Sequence, residues 1–270
     1  MPPFAGCFRV LVIGARTPIS SKDEGRALKA PVIGEGGAVR AARRIPYVNQ
    51  GIVMACTLAF VLGVPPESLA FVPAYFFGTV ETVGPLPSWA VWRGLFGHVL
   101  IHSDIVHLVS NMLALWAFGG AVELAMGSLR YLLFFLLCAA AGAVVEGALA
   151  VDPMAPLVGA SGGICGVMGA FLLLHPQATL GVTPGPRVPA SFVVGSFLAI
   201  NVAMTLMPPS PDSSLGDVAW AAHLGGFGAG MALVALFRRP GVALWSVARL
   251  GTAVKAAVYL TLVVVLLRTL

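Results

Sequence analysis

Residues 131–145 read YLLFFLLCAAAGAVV, an uncharged run held between Arg130 and Glu146. Widened to 128–149, it reaches the roughly 20 mostly apolar residues that a helix needs to cross the hydrocarbon core of a bilayer. It is continuously apolar and does not alternate, so it is not the strand of a transmembrane barrel. The same pattern recurs outward in both directions. No formal charge falls between Arg44 and Glu67, Asp104 and Glu123, Asp152 and Arg187, Arg187 and Asp212, or Asp217 and Arg238. These blocks predict helices near 47–64, 103–122, 128–149, 159–175, 188–207 and 218–237, the fourth shortened by Pro176. A seventh, near 246–268, is interrupted by Arg249 and Lys255. Hydrophobic residues make up 58 % of the 270 positions and charged residues 10 %, with a mean hydropathy of +0.93. That balance excludes a soluble globular domain and a disordered chain. The fold class is an all-α polytopic membrane protein.

Lys and Arg set the orientation. Arg9, Arg16, Lys22, Arg26, Lys29, Arg40, Arg43 and Arg44 precede the first helix. Arg130, Arg187, Arg238 and Arg239 follow the second, fourth and sixth. The opposite loops hold only Arg93. The positive-inside bias therefore places the N-terminal tail in the cytoplasm, and the net charge of +5 is mostly this topology signal. The basic residues of the tail are dispersed among Asp23, Glu24 and Glu35, which argues against nucleic-acid binding. Single cysteines at Ser21 and Ser213, in a background without the four native cysteines, test the orientation with a membrane-impermeant thiol reagent on intact cells. Ser213→Cys should label and Ser21→Cys should stay protected; the reverse pattern would invert the topology.

The organisation expected is a cytoplasmic tail over 1–45, a transmembrane core over 46–240 and an additional C-terminal transmembrane helix within 241–270. The tail lacks the apolar stretch and cleavage site of a signal peptide, and its three acids argue against a transit peptide. The segment 65–102 is long for a loop and carries Phe71, Phe76, Phe77, Trp89 and Trp92, which suit a structured, partly embedded outer loop. Cys7, Cys56, Cys138 and Cys165 suggest no disulfide framework, and small apolar packing is the role expected of them.

Polar residues inside membrane helices are costly and mark function by default. His107 and Asn111 lie four apart on one face of the second helix. Ser161 opens the fourth within Gly159-Ala160-Ser161-Gly162, and His223 lies near the start of the sixth. All three helices enter from the outer side. At 1.5 Å per residue these groups share a depth of roughly 5–10 Å below the surface. Taken singly, Ser161 reads as a helix cap, His107 and Asn111 as interhelical hydrogen-bonding residues, and His223 as a packing histidine. Their shared depth favours chemistry. A serine hydroxyl needs a base to become a nucleophile, and His223 supplies an imidazole. His107 and Asn111 offer donors for an oxyanion. Asp217, six residues before His223, faces elsewhere, so a Ser–His dyad is the economical arrangement. Gly162, Gly166 and Gly169 on the fourth helix, and Gly226 and Gly230 on the sixth, would let the two backbones approach closely. Asn201, in the fifth helix, reads as interhelical glue. His98 and His102 read as hydrogen-bonded structural residues of the loop. No H-E-x-x-H occurs, so no metal is expected.

These residues resemble those of the rhomboid intramembrane serine proteases. The segment Phe96 to Asn111 is similar to the family's second helix with its H-x-x-x-N pair, and Gly119-Gly120-Ala121-Val122-Glu123 to that helix's cytoplasmic end. Gly159-Ala160-Ser161-Gly162 matches G-x-S-G, and Ala222-His223 with Gly226 and Gly230 matches A-H-x-x-G-x-x-x-G. Trp92-Arg93 resembles the Trp-Arg pair of the first outer loop. The likeness covers about residues 47–237.

It implies a six-helix bundle, here with a seventh C-terminal helix, and an endopeptidase that cleaves single-span transmembrane proteins near the outer face. Ser161 would be the nucleophile and His223 the general base. His107, Asn111 and the Ser161 N–H would form the oxyanion hole, with no cofactor. Many members carry an aromatic one turn after the serine, stacked on the histidine. Cys165 stands there in this chain, which implies a less firmly held base. The rival is a non-catalytic rhomboid-like protein that binds transmembrane clients; such a protein would typically have lost Ser161 or His223, and both are present. A multi-pass protein of the bacterial plasma membrane is expected, with the mitochondrial inner membrane as the alternative.

Overall fold

The computed structural model describes residues 45–78, 88–150, 152–181, 186–210 and 218–245, with Ser213 and Gly216. The expected tail, apart from Ile45, and the expected helix near 246–268 lie outside the described residues. Each of the six principal apolar blocks forms a helix. They are α1 (Tyr47–Val61), a second helix running from α5 (Ile105–Ala114) through one π-helical turn (Leu115–Gly119) into α6 (Gly120–Met126), α7 (Ser128–Leu149), α8 (Ser161–Leu174), α9 (Ala190–Leu206) and α10 (Trp220–Phe237). The segment between α1 and α5, expected on the outer side, is structured where described, with the short helices α2 (Pro66–Leu69), α3 (Pro73–Phe77) and α4 (Ser88–Gly97). Strands β1 (Thr179–Leu180) and β2 (Val188–Pro189) pair antiparallel between α8 and α9.

Ile105–Met126, Ser128–Leu149 and Trp220–Phe237 are long and apolar enough to cross a membrane, while α1, α8 and α9 are shorter apolar helices. The brevity of α8 has a cause in its position. Every residue from Gly162 to Leu174 is buried, so α8 is the central helix and meets neighbours rather than lipid. It ends at His175, before Pro176, whose ring has no N–H to continue the ladder. A helix of 14 residues is about 21 Å long, short of the roughly 30 Å hydrocarbon core. Placed in a bilayer, at least one of its ends would lie below the membrane surface.

α8 packs mainly against α7 and α10, and glycines make this possible. A Cβ at Gly226 would overlap the Gly162 carbonyl oxygen, and one at Gly230 the Gly166 carbonyl oxygen. The backbones of α8 and α10 thus touch directly, the small-residue packing of membrane helices. Outward, Leu113, Trp116, Leu129, Leu133 and Leu137 are exposed, an apolar girdle that suits lipid. Toward the end of the bundle where α1 begins, Glu123 is buried and accepts from the N–H groups of Val48 and Asn49 and from Ser128 Oγ. Tyr131 donates to Asn49 Oδ1. This carboxylate supplies the cap that Pro46 cannot, satisfying N–H groups at the start of α1. Cys56, Cys138 and Cys165 are free and buried.

Candidate active site

Ser161 is the first residue of α8, His107 the third of α5 and His223 the fourth of α10. Each stands in the first turn of its helix. The outer loop is stitched to the segment that leads into Ser161. Phe71 and Leu157 exchange backbone hydrogen bonds of 3.0 and 2.8 Å, Ala74 N–H donates to Pro153 O at 2.8 Å, and Gly159 N–H donates to His98 O at 2.9 Å.

Gly159 has φ +117°, in the region that favours glycine. A Cβ there would lie 2.7 Å from His107 Nε2 and 3.8 Å from Ser161 Oγ. A side chain there would collide with the imidazole, so glycine is what lets His107 Nε2 and Ser161 Oγ both lie close to this one backbone position. Ser103 Oγ lies 3.1 Å from His107 Nδ1, so Nε2 is the nitrogen facing Gly159. Asp104 caps α5 by accepting the His107 backbone N–H at 2.9 Å. That bond, with the Ser103 hydroxyl as a second donor, holds the Asp104 carboxyl below its ordinary range. One turn further in, Asn111 is buried, and among the described residues its Nδ2 has no hydrogen-bond partner. An unsatisfied buried donor costs free energy and calls for a reason.

His223 is buried in α10. Its Nδ1 lies 2.5 Å from Asn201 Oδ1. Its ring sits against Phe197, with centroids 5.8 Å apart, and edge-on to Trp220 at 6.1 Å. The start of α10 is fixed from α7, where Glu146 Oε2 accepts the Ala222 N–H at 2.9 Å. Among the described residues no hydrogen bond joins Ser161 Oγ to His223. Their proximity rests on Gly162, next to Ser161, meeting Gly226, three residues past His223.

Asn201 joins α9 to α10, as its interhelical reading expects, and the partner of its side-chain carbonyl is the expected base. The sequence signal was a carboxamide in an apolar helix, but its partner is 22 positions away and cannot be read from spacing. Phe197, Trp220 and Asn201 surround the imidazole where Cys165 supplies no ring. His98 fits its structural reading: its Nδ1 lies 3.2 Å from Gly94 O, and its carbonyl holds Gly159. His102 departs from it. The ring is buried edge-on to His107 at 4.9 Å, and among the described residues neither nitrogen has a hydrogen-bond partner. Trp92 stacks on Phe96 and Arg93 lies over Trp89, both on the outer segment.

Comparison with known proteins follows the same residues. The family model described as "Rhomboid domain" matches residues 88–240. The chain is 30 % identical over 138 residues to "Rhomboid protein 1, mitochondrial" of Saccharomyces cerevisiae, covering 49 % of this chain and 38 % of that protein. It is 41 % identical over 81 residues to "Rhomboid protease GluP" of Bacillus subtilis, covering 30 % and 15 %. With "RHOMBOID-like protein 12, mitochondrial" of Arabidopsis thaliana the identity is 32 % over 141 residues, covering 46 % and 40 %. The chain thus spans less than half the length of each of these relatives.

Proposed function

The chain belongs to the rhomboid family, and from that premise we propose that it is an intramembrane serine endopeptidase acting on single-span transmembrane proteins. The observation that carries the proposal is that His107 Nε2 and Ser161 Oγ both lie close to Gly159, with the Asn111 amide, unpartnered among the described residues, one turn away. A scissile carbonyl lodged between Ser161 Oγ and the His107 and Asn111 side chains would meet a nucleophile on one side and donors on the other.

Ser161 Oγ attacks the carbonyl carbon while His223 Nε2 takes the hydroxyl proton. The carbonyl oxygen becomes an oxyanion, received by Asn111 Nδ2–H, the uncapped N–H of Ser161 at the positive end of α8 and His107, whose Nε2 carries the hydrogen when Ser103 Oγ turns its own from Asp104 to Nδ1. Collapse breaks the C–N bond, and the imidazolium returns its proton to the leaving amine. Water, activated in turn by His223, then hydrolyses the acyl-serine. Water must reach Ser161, and its half-buried position agrees with that need. By the positive-inside bias the site opens to the outer face. The membrane is that of a bacterial cell or, as the alternative, the mitochondrial inner membrane; relatives occur in bacteria and under mitochondrial names.

The test is incubation of the purified protein with a fluorophosphonate probe, and peptide mapping of the adduct. Labelling confined to Ser161, with parallel cleavage of a single-span substrate in liposomes, is the expected result. Binding of the substrate with neither labelling nor cleavage would favour a non-catalytic client-binding protein instead.

The oxyanion donors make a graded prediction. Loss of one such donor typically costs about 10²–10³ in kcat. Asn111→Ala should fall at the lower end of that range or below it, because other donors remain. His107→Ala should cost more, since the His102 ring also packs against it. Both losses should appear in kcat rather than KM, because the donors favour the tetrahedral state. Wild-type rates in two normally folded mutants would return His107 and Asn111 to interhelical glue.

A further inference from the structure

We propose that Asn201 is the positioning residue of the catalytic base: its side-chain carbonyl holds His223 in the one tautomer that can accept the Ser161 proton. The inference rests on the dyad reading above and adds a third residue to it.

Asn201 is fully buried in α9. One atom of its carboxamide lies 2.7 Å from the Phe197 carbonyl oxygen, one turn back on the same helix. A carbonyl oxygen can only accept, so the atom facing it must be the NH2 group, which settles the orientation of the amide. The other atom is then Oδ1, which points at His223 Nδ1 from 2.5 Å. Oδ1 can only accept as well, so Nδ1 must carry the hydrogen. In a neutral imidazole this leaves Nε2 with a bare lone pair, the form required of a general base toward serine. The carboxamide therefore selects the tautomer as well as the ring's direction.

The aromatic neighbours cannot do this alone. Phe197 and Trp220 restrict the plane of the ring, but a phenyl or indole edge does not distinguish Nδ1–H from bare Nδ1. The Asn201 carboxamide is itself anchored, because its NH2 group donates to the Phe197 carbonyl oxygen at 2.7 Å. When His223 becomes an imidazolium, Nδ1 still donates to Oδ1, so the contact persists through the proton transfer. The logic is that of an orienting third residue, which is recognised by geometry rather than by place in the chain.

The test compares Asn201→Leu, Asn201→Asp and His223→Ala as full-length protein in liposomes. Asn201→Leu, which keeps the volume and removes the acceptor, should lower kcat about 10- to 100-fold with KM changed less than about twofold. This is less than the roughly 10⁴-fold loss that a wrong tautomer causes in a soluble triad, because Phe197 and Trp220 still confine the ring. Asn201→Asp keeps an acceptor at the same place and should recover much of the lost kcat. A purely structural Asn201 would instead lower thermal stability and raise KM, and the buried carboxylate would make matters worse. In the His223→Ala background Asn201→Leu should have no further effect.

A second readout covers failure of the variants to fold. Nitrogen-15 NMR of histidine-labelled wild type, with the His223 signal identified by its loss in His223→Ala, should show a protonated Nδ1 and a bare Nε2. Wild-type kcat in folded Asn201→Leu, or a bare Nδ1 in the spectrum, would overturn the inference. Undiminished cleavage by His223→Ala would overturn the dyad itself, a distinguishable result.

Discussion

Ser161→Ala is expected to abolish cleavage of a transmembrane substrate while leaving the protein folded. Removing the nucleophile from a serine protease costs on the order of 10⁶ in kcat, which here means no product above background. The fold should not notice. Ser161 is half-buried, and among the described residues its hydroxyl makes no hydrogen bond that the mutation would break. The change removes one oxygen from the start of a helix whose other residues are buried through packing of their own. Thermal unfolding within a few degrees of wild type, with loss of fluorophosphonate labelling, is the outcome that separates chemistry from stability. Full activity in the mutant would remove serine catalysis altogether and leave His107 and His223 without a role in the reaction.

Gly226→Val should be nearly as damaging for a different reason. A Cβ at Gly226 cannot coexist with the Gly162 carbonyl oxygen, and it would also press on the Gly162 Cα at 3.1 Å. Both are backbone atoms, so no side chain can swing aside. α8 and α10 must separate, which costs about 1–3 kcal/mol or more. The displacement falls between Ser161 and His223, where a shift of about 1 Å can cost 10²-fold in rate. Loss of activity of at least roughly 100-fold, together with a lowered unfolding temperature, is expected. Gly162→Ala is the control for stability. Its Cβ would find its nearest neighbour at 3.6 Å, an ordinary contact, so its unfolding temperature should stay close to wild type. Equal tolerance of both substitutions would show that the two helices do not meet backbone to backbone.

The contrast between these glycines shows how far motif reading reaches. Gly159, Gly162, Gly226 and Gly230 stand in the sequence as equivalent small residues near the expected site. In the structure they differ. Gly159 keeps a positive φ and leaves room for His107; Gly226 and Gly230 give way to carbonyls of α8; a Cβ at Gly162 would meet its neighbours at ordinary contact distance. Glu146 is a similar case. At the sequence level it is an isolated acid near a helix end. In space it caps α10 one residue before His223, a pairing of α7 with α10 that no local pattern announces.

What the sequence by itself determined is whatever depends on local, repeating physics. Charge-free blocks of bilayer length locate α1, the α5–α6 helix and α7 to α10, because lipid rejects unpaired charge wherever it falls. The placing of His107, Ser161 and His223 at the same end of three helices follows from the same blocks and the alternation of direction. Only the tertiary structure decided which groups face each other. Ser161 meets the space beside His107 because Gly159 turns with φ +117°. His223 finds Asn201 because α9 packs on α10 with that register. The physical reason is that a hydrogen bond tolerates only a few tenths of an ångström and a limited angle. Helix position in sequence leaves rotation and crossing distance free, and in lipid those are settled by close packing of whole helices.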